Sequence, residues 1–308
     1  MRFLAAYIMR GRMQAMMVAV ATAILSLLIT PLSYLSAAVI ALVILRQGWK
    51  EGLWVIAGAS LAIGLFSMLI SLDPRLALGF VALIWLPIAS LAMVLRATVS
   101  LPMTLTVVAG MGAMAVLATH GVLGDPAQWW RDILHRVGEE MRDQAGAEGF
   151  KLLLPTLESF APHVVGWFVA SAVLSLVMSL FLARWWQAVL YNPGGFRREF
   201  HALRLGRSMS WLVLASGMIG LLGSEVIGTL ATDILIVLLM VYVIHGTGLV
   251  HGLVAARKIH AGWLVVMYVV AFFIFPPLTV LIAAAGVADS WLDFRGRFAG
   301  PTDQTGVK

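Results

Sequence analysis

Nine apolar runs punctuate this chain, and together they leave it almost no way to fold outside a membrane. A bilayer core about 30 Å thick takes about 20 apolar helical residues to cross. The runs cover residues 13–30, 32–45, 52–71, 76–95, 101–118, 164–182, 208–223, 234–255 and 263–285. Only the second is clearly short. The runs are apolar on every side, whereas barrel strands alternate apolar and polar positions. Of the 308 residues 61% are hydrophobic and 12% charged, and the mean hydropathy is +0.95. A soluble domain is about 45–50% apolar and about 25% charged, and a disordered chain is less apolar still. Both are excluded. The expectation is an all-α polytopic transmembrane helical bundle of eight to nine spans, in one integral membrane domain over residues 1–308.

Basic residues orient the bundle. With the N-terminus cytoplasmic and alternating spans, 13 Lys and Arg fall inside and 8 outside, four of those eight in one long loop. Long loops count for less in the positive-inside rule. This scheme puts the tail, with Arg295 and Arg297, outside. It also requires a hairpin at Pro31, because a single span over residues 13–45 would carry Arg46 and Lys50 outside. Arg2, Arg10 and Arg12 ahead of the first run resemble a signal-peptide start, but the run continues to Thr30 and is read as an uncleaved span. The net charge of +6 and pI near 10.1 are assigned to contact with an anionic leaflet rather than nucleic acid. The expected location is the inner membrane of a bacterium. The chain has no cysteine, so thiolate chemistry is excluded.

Two segments between runs stand out. Residues 120–163 form an extracytoplasmic amphipathic segment. Asp125-Pro126 is an N-cap followed by proline at the first helical position, and Trp130, Ile133, Leu134, Val137 and Met141 recur on one helical face. Arg131, Asp132, Arg136, Glu139, Glu140, Arg142 and Asp143 cover the rest. It is read either as a connector on lipid headgroups or as a lid. Residues 185–207 form a basic cytoplasmic loop. After the turn signal Asn192-Pro193-Gly194-Gly195, Phe196, Phe200 and Leu203 follow at helical spacing beside Arg197, Arg198, Arg204 and Arg207. This is either an interfacial anchor or a docking site for a cytoplasmic partner, with Phe196, Arg197, Arg198, Phe200 and Arg204 as contacts.

Ionisable residues at depth in a membrane are functional candidates. His245 and His251 lie on the eighth run, six positions apart and so not the i,i+4 pair of a zinc helix. Tyr242 shares the His245 stripe, which is expected to face the interior. Asp233 and Glu225 flank the link before this run; they are read either as outer headgroup residues or, for Asp233, as an intramembrane polar candidate. Gly248-x-x-x-Gly252 invites close approach by a neighbouring helix, as do Gly58/Ala62 and Ser60/Gly64 on the third run and Gly11/Ala15/Ala19/Ala23 on the first. Pro87 and Pro276-Pro277 imply kinks or broken helices, which can line a binding cavity. No phosphate loop, HExxH or GxSxG is present. The expectation is therefore no enzyme and no cofactor or metal.

The segment Leu190-Tyr191-Asn192-Pro193-Gly194-Gly195-Phe196, with Glu199-Phe200 and Leu203-Arg204-Leu205, resembles the loop of the YybS-like membrane protein family. Phe275-Pro276-Pro277-Leu278, the tail from Ala288 to Arg295, and Arg46-Gln47-Gly48 also resemble that family. Its helical pattern is similar to the S components of energy-coupling-factor vitamin transporters. There, alanines spaced by four on the first helix contact a coupling subunit, so the resemblance implies that role for Ala15, Ala19 and Ala23. S components have six spans, fewer than expected here. Two functions follow: a small-molecule-binding or transport-associated subunit working with a separate ATPase, with His245, Tyr242, His251 and Asp233 as candidate polar residues, or a scaffold that recruits a cytoplasmic partner through the basic loop.

Overall fold

Sixteen α-helices account for most of the chain, and their two shared ends define the architecture. The computed structural model describes residues 1–69, 73, 75–141, 146–275 and 277–298; Pro74, Arg142, Asp143 and Pro276 lie outside the described residues. In order the helices are α1 Arg2–Ile8, α2 Arg12–Leu25, α3 Leu32–Gln47, α4 Trp49–Leu69, α5 Arg75–Phe80, α6 Leu86–Thr98, α7 Leu101–Leu123 and α8 Pro126–Glu140. There follow α9 Ala147–Ser159, α10 Val164–Tyr191, α11 Gly195–His201, α12 Arg207–Leu222, α13 Glu225–Ala256, α14 Gly262–Phe273, α15 Pro277–Leu292 and α16 Phe294–Phe298. Among the described residues there is no strand. Five helical segments are long and apolar enough to cross a membrane, and five more apolar helices are shorter.

The centre of the bundle is α3, whose residues from Ser36 to Leu45 are all buried. Helices α2, α4, α6 and α10 surround it. Helices α2 and α3 form the hairpin expected at Pro31. Arg12 opens α2 and grips Glu51, at the start of α4, through two hydrogen bonds of 2.5 and 2.6 Å. That places the N-terminus of α2 beside the C-terminus of α3. At this same end Arg96 donates to the carbonyls of Ile44 and Leu45, Arg46 lies over the Tyr191 ring, and Arg184 pairs with Glu199. We call it the basic end.

Local signals explain the helix boundaries. Asp125 accepts a hydrogen bond from the Gln128 amide and Pro126 opens α8; Ser100 caps α7 in the same way. Pro87 is accommodated by a π-helical turn over Val81–Trp85, a usual remedy where proline removes a backbone donor. That turn buries Trp85, whose indole donates to the Ser36 hydroxyl.

The last apolar run is broken, as its two prolines allow, and the side of the tail and the extent of the basic loop depart from expectation. The apolar run 263–285 is not one helix: α14 stops at Phe273 and α15 starts at Pro277. At 1.5 Å per residue, each is shorter than the bilayer core. Helix α15 runs back to the basic end, where Trp291 meets Trp211 and Asp293 pairs with Arg204 at 3.0 Å. Arg295 therefore lies at the same end as the loop after α10, not opposite it. The basic loop is also shorter than expected, because α10 continues to Tyr191.

Candidate functional site

Helix α13 carries most of the polar chemistry, at three levels. Near its start Asp233 is 1% exposed. His120, from the end of α7, places Nε2 2.7 Å from one carboxylate oxygen, and His163, just before α10, places Nδ1 3.2 Å from the other. Two imidazoles thus satisfy a carboxylate that burial would otherwise penalise. Gly166 permits this arrangement: a Cβ there would stand 2.8 Å from Asp233 Oδ1. A polar cavity of about 290 Å³, lined by His120, Asp125, Arg131 and Glu225 among others, opens beside it. Asp233 is therefore a buried carboxylate held by two imidazoles.

Halfway along α13, His245 and Tyr242 are both fully buried. His245 Nε2 lies 3.1 Å from Asp289 Oδ2 on α15, and the Tyr242 hydroxyl lies 3.5 Å from that of Ser290. The Phe294 amide donates to the other Asp289 oxygen at 2.9 Å. Arg295 approaches the carboxylate at 4.0 Å, and Arg204 donates to the Asp289 carbonyl. Burial pulls the Arg295 guanidinium below its ordinary pKa, Asp289 opposes that shift, and Arg204 adds to it. Two glycines bring α15 this close: a Cβ on Gly246 would sit 2.0 Å from the Ile282 carbonyl oxygen, and one on Gly286 would sit 2.8 Å from that of Tyr242.

Near the end of α13 the Gly248-x-x-x-Gly252 step receives not a long helix but the end of α11. Hypothetical Cβ atoms there would meet the carbonyl oxygens of Phe200 and His201 at 2.9 and 2.7 Å. Phe196 and Phe200 stack on one another and against Phe181 of α10. Leu203 and Leu205 are buried. Arg197 and Arg198 remain exposed, while Arg204 is drawn into the ion pair with Asp293. His251 is half-buried and bonds the Tyr268 hydroxyl of α14 at 2.8 Å.

Helix α14 buries none of its residues. It stands off the bundle beside a row of three cavities along α13, two of which it helps to line, through Tyr268 and Leu264. One of about 190 Å³, almost wholly apolar, lies against Trp167, Leu174, Ile236 and Ala283. A second of about 430 Å³ shares the Leu174 and Val243 walls and continues past Met178 to Phe196 and Phe200. The third, about 680 Å³, shares those two phenylalanines and adds Arg197, His201, His251 and Lys258.

The alanine stripe is corrected. Ala15, Ala19 and Ala23 are 1%, 0% and 3% exposed. They pack inside the chain, where α2 meets α3 and α4; the Ser36 hydroxyl donates to the Ala19 carbonyl at 2.9 Å. Small residues allow close approach, here by this protein's own helices. Gly64 faces open space. Asp289, Arg295, His120 and His163 were not singled out as site residues from sequence. The signals for them are polar positions bracketing the 120–163 segment and, for Asp289 and Arg295, the tail motif that carries the family resemblance.

Among the described residues, no group of three or more His, Cys, Asp or Glu is arranged to hold a metal ion. A family model described as a predicted membrane protein, DUF2232, matches residues 136–290. That stretch contains Asp233, His245 and Asp289 and the walls of the cavity row. No curated protein and no solved structure gives a significant match.

Proposed function

The chain belongs to the DUF2232 family of predicted membrane proteins, and on that premise we propose a non-enzymatic binding subunit of the bacterial inner membrane whose ligand enters sideways from the bilayer. In this reading α2, α3, α4, residues 78–98, α7, α10, α12 and α13 cross the membrane. Helices α14 and α15 enter and leave on one side. The basic end faces the cytoplasm, which now gathers Arg295 and Arg297 with the other basic residues and sharpens the Lys and Arg asymmetry.

One observation carries the reading: an apolar cavity lies between α10, α13 and α15, and it shares Leu174 and Val243 with a second that α14, itself unburied, lines through Tyr268. Irregular or interrupted helices at membrane depth are tolerated where they line a cavity. Ligand sites in bundles are mostly apolar, with few polar groups. A transport-associated role, as in the S components the sequence resembles, fits a binding site with no phosphate loop and a separate source of energy. The scaffold reading is weaker, because Phe196 and Phe200 are spent on Phe181 within the chain and only the charged face of the loop remains for a partner.

The test is organic extraction of the purified full-length protein followed by mass spectrometry. We expect a co-purifying molecule near one per chain, and its loss in Leu239→Trp, which fills the first cavity from α13. Met240→Trp serves as a second variant should the first fail to fold. Recovery of no molecule from the native protein overturns the reading.

A further inference from the structure

We propose that the row of cavities along α13 holds one anionic lipid, its chain along α10 and α13 and its phosphate among Arg197, His201, His251 and Lys258; this rests on the binding-subunit reading above and names its ligand class. The argument starts from continuity. The first two cavities share Leu174 and Val243, and the second and third share Phe196 and Phe200. From Ile236 to His251 along α13 is about 22 Å at 1.5 Å per residue. Half of a bilayer core about 30 Å thick is shorter than that, so a leaflet's acyl chain fits within the row. Polarity changes along the row as it does along a lipid: apolar walls first, then an aromatic collar, then cations.

Charge accounting selects an anionic head. Each acidic residue near the basic mouth is already committed. Glu199 is held by Arg184, Asp293 by Arg204, and Asp289 by His245 and Arg295. Among the described residues no carboxylate pairs with Arg197 or Lys258. Lys258 also takes a left-handed backbone, φ 54°, just past the end of α13. Glycine fills such a position at least cost, so a long cation there is held at some backbone expense. The rings of His201 and His251, in the same cavity wall as Arg197 and Lys258, lie 6.1 Å apart. Tyr268, bonded to His251, ties the loose α14 to the site. An anionic headgroup would neutralise the mouth while its chain covers the face that α14 leaves open.

The experiment uses full-length protein in nanodiscs and native mass spectrometry after detergent release, with phosphatidylglycerol and phosphatidylcholine as probes. We expect retained phosphatidylglycerol at one per chain and little phosphatidylcholine. Arg197→Gln with Lys258→Gln should lower retention about 25-fold, taking about fivefold for each charge. Leu174→Trp or Met178→Trp, whichever folds, should abolish it. Equal retention of the two lipids, unmoved by the charge variants, overturns the anionic assignment while leaving a bilayer-facing site intact. Retention of neither lipid overturns this proposal, and it overturns the site itself if extraction also yields no other molecule. Loss in the charge variants but not in either tryptophan variant means surface attraction alone and overturns it. Displacement by millimolar glycerol phosphate identifies a soluble phosphate ligand and also overturns it.

Discussion

His245 and Asp289 lie 44 positions apart in the chain and 3.1 Å apart in the bundle. Neither side chain is more than 1% exposed. Asp289 is the hub, because it also receives the Phe294 amide and faces Arg295. Asp289→Ala strands three donors at once and should cost about 3–5 kcal/mol, as losing one side of a buried pair does. His245→Leu leaves Asp289 its other partners and should cost less, about 1–3 kcal/mol. Thermal unfolding in detergent ranks the two; the reverse order would remove Asp289 from the centre of the network.

Glycine positions separate close approach from open space. Gly246→Ala drives a methyl to within 2.0 Å of the Ile282 backbone, whereas at Gly64 nothing lies within 4 Å. The first change should destabilise by about 1–3 kcal/mol or more through overpacking. The second should be neutral or stabilise by up to about 1 kcal/mol, since alanine favours a helix over glycine. Equal melting shifts for the two would contradict the packing described.

Ala19→Leu puts a large side chain into the junction of α2 and α3. The expected result is a lower melting temperature of the isolated protein, by about 1–3 kcal/mol of overpacking. A variant with unchanged stability but a lost partner would restore the subunit-contact reading of this stripe.

Topology is open to cysteine labelling, because the chain has no native cysteine. Arg198→Cys and Arg297→Cys should react from one side of the membrane, and Gln128→Cys from the other. Reaction of Arg198→Cys and Arg297→Cys from opposite sides would mean that residues 262–292 cross the membrane after all.

His201 sits outside the crossing helices, and its pKa is held below the ordinary 6.5 by burial first, then by Arg197 and Arg295. The folded protein therefore favours the neutral imidazole. Its contribution to stability is present above the unfolded value of 6.5 and is lost as pH falls through the lowered folded value. Arg197→Gln should raise the His201 pKa, read by NMR titration of the imidazole. No rise would show that Arg197 does not act on this ring.

Fold class was legible because apolar runs of this length admit only helices, and Asp125-Pro126 marks the start of α8 by itself. The return of α15 was not legible. An apolar run broken by two prolines reads the same whether it crosses or turns back, and the direction is decided by Arg204 and Asp293 meeting across the fold. The alanine stripe announced close packing but not the identity of its partner, since small side chains allow approach without choosing who approaches. His120 and His163 looked like the polar edges of a segment. Only the burial of Asp233 between them turns two boundaries into one site.

The burial of α3 on every side also constrains how the protein is made. Its flank against α10 is covered by residues that the ribosome adds more than a hundred positions later. Until then α10 cannot cover that flank. The stretch Ser36-Ala37-Ala38-Val39-Ile40-Ala41-Leu42-Val43-Ile44-Leu45 is suited to the wait, since its one polar side chain, Ser36, already has the Ala19 carbonyl within its own hairpin. The first hairpin thus satisfies its own buried hydroxyl before the second half of the chain packs onto it.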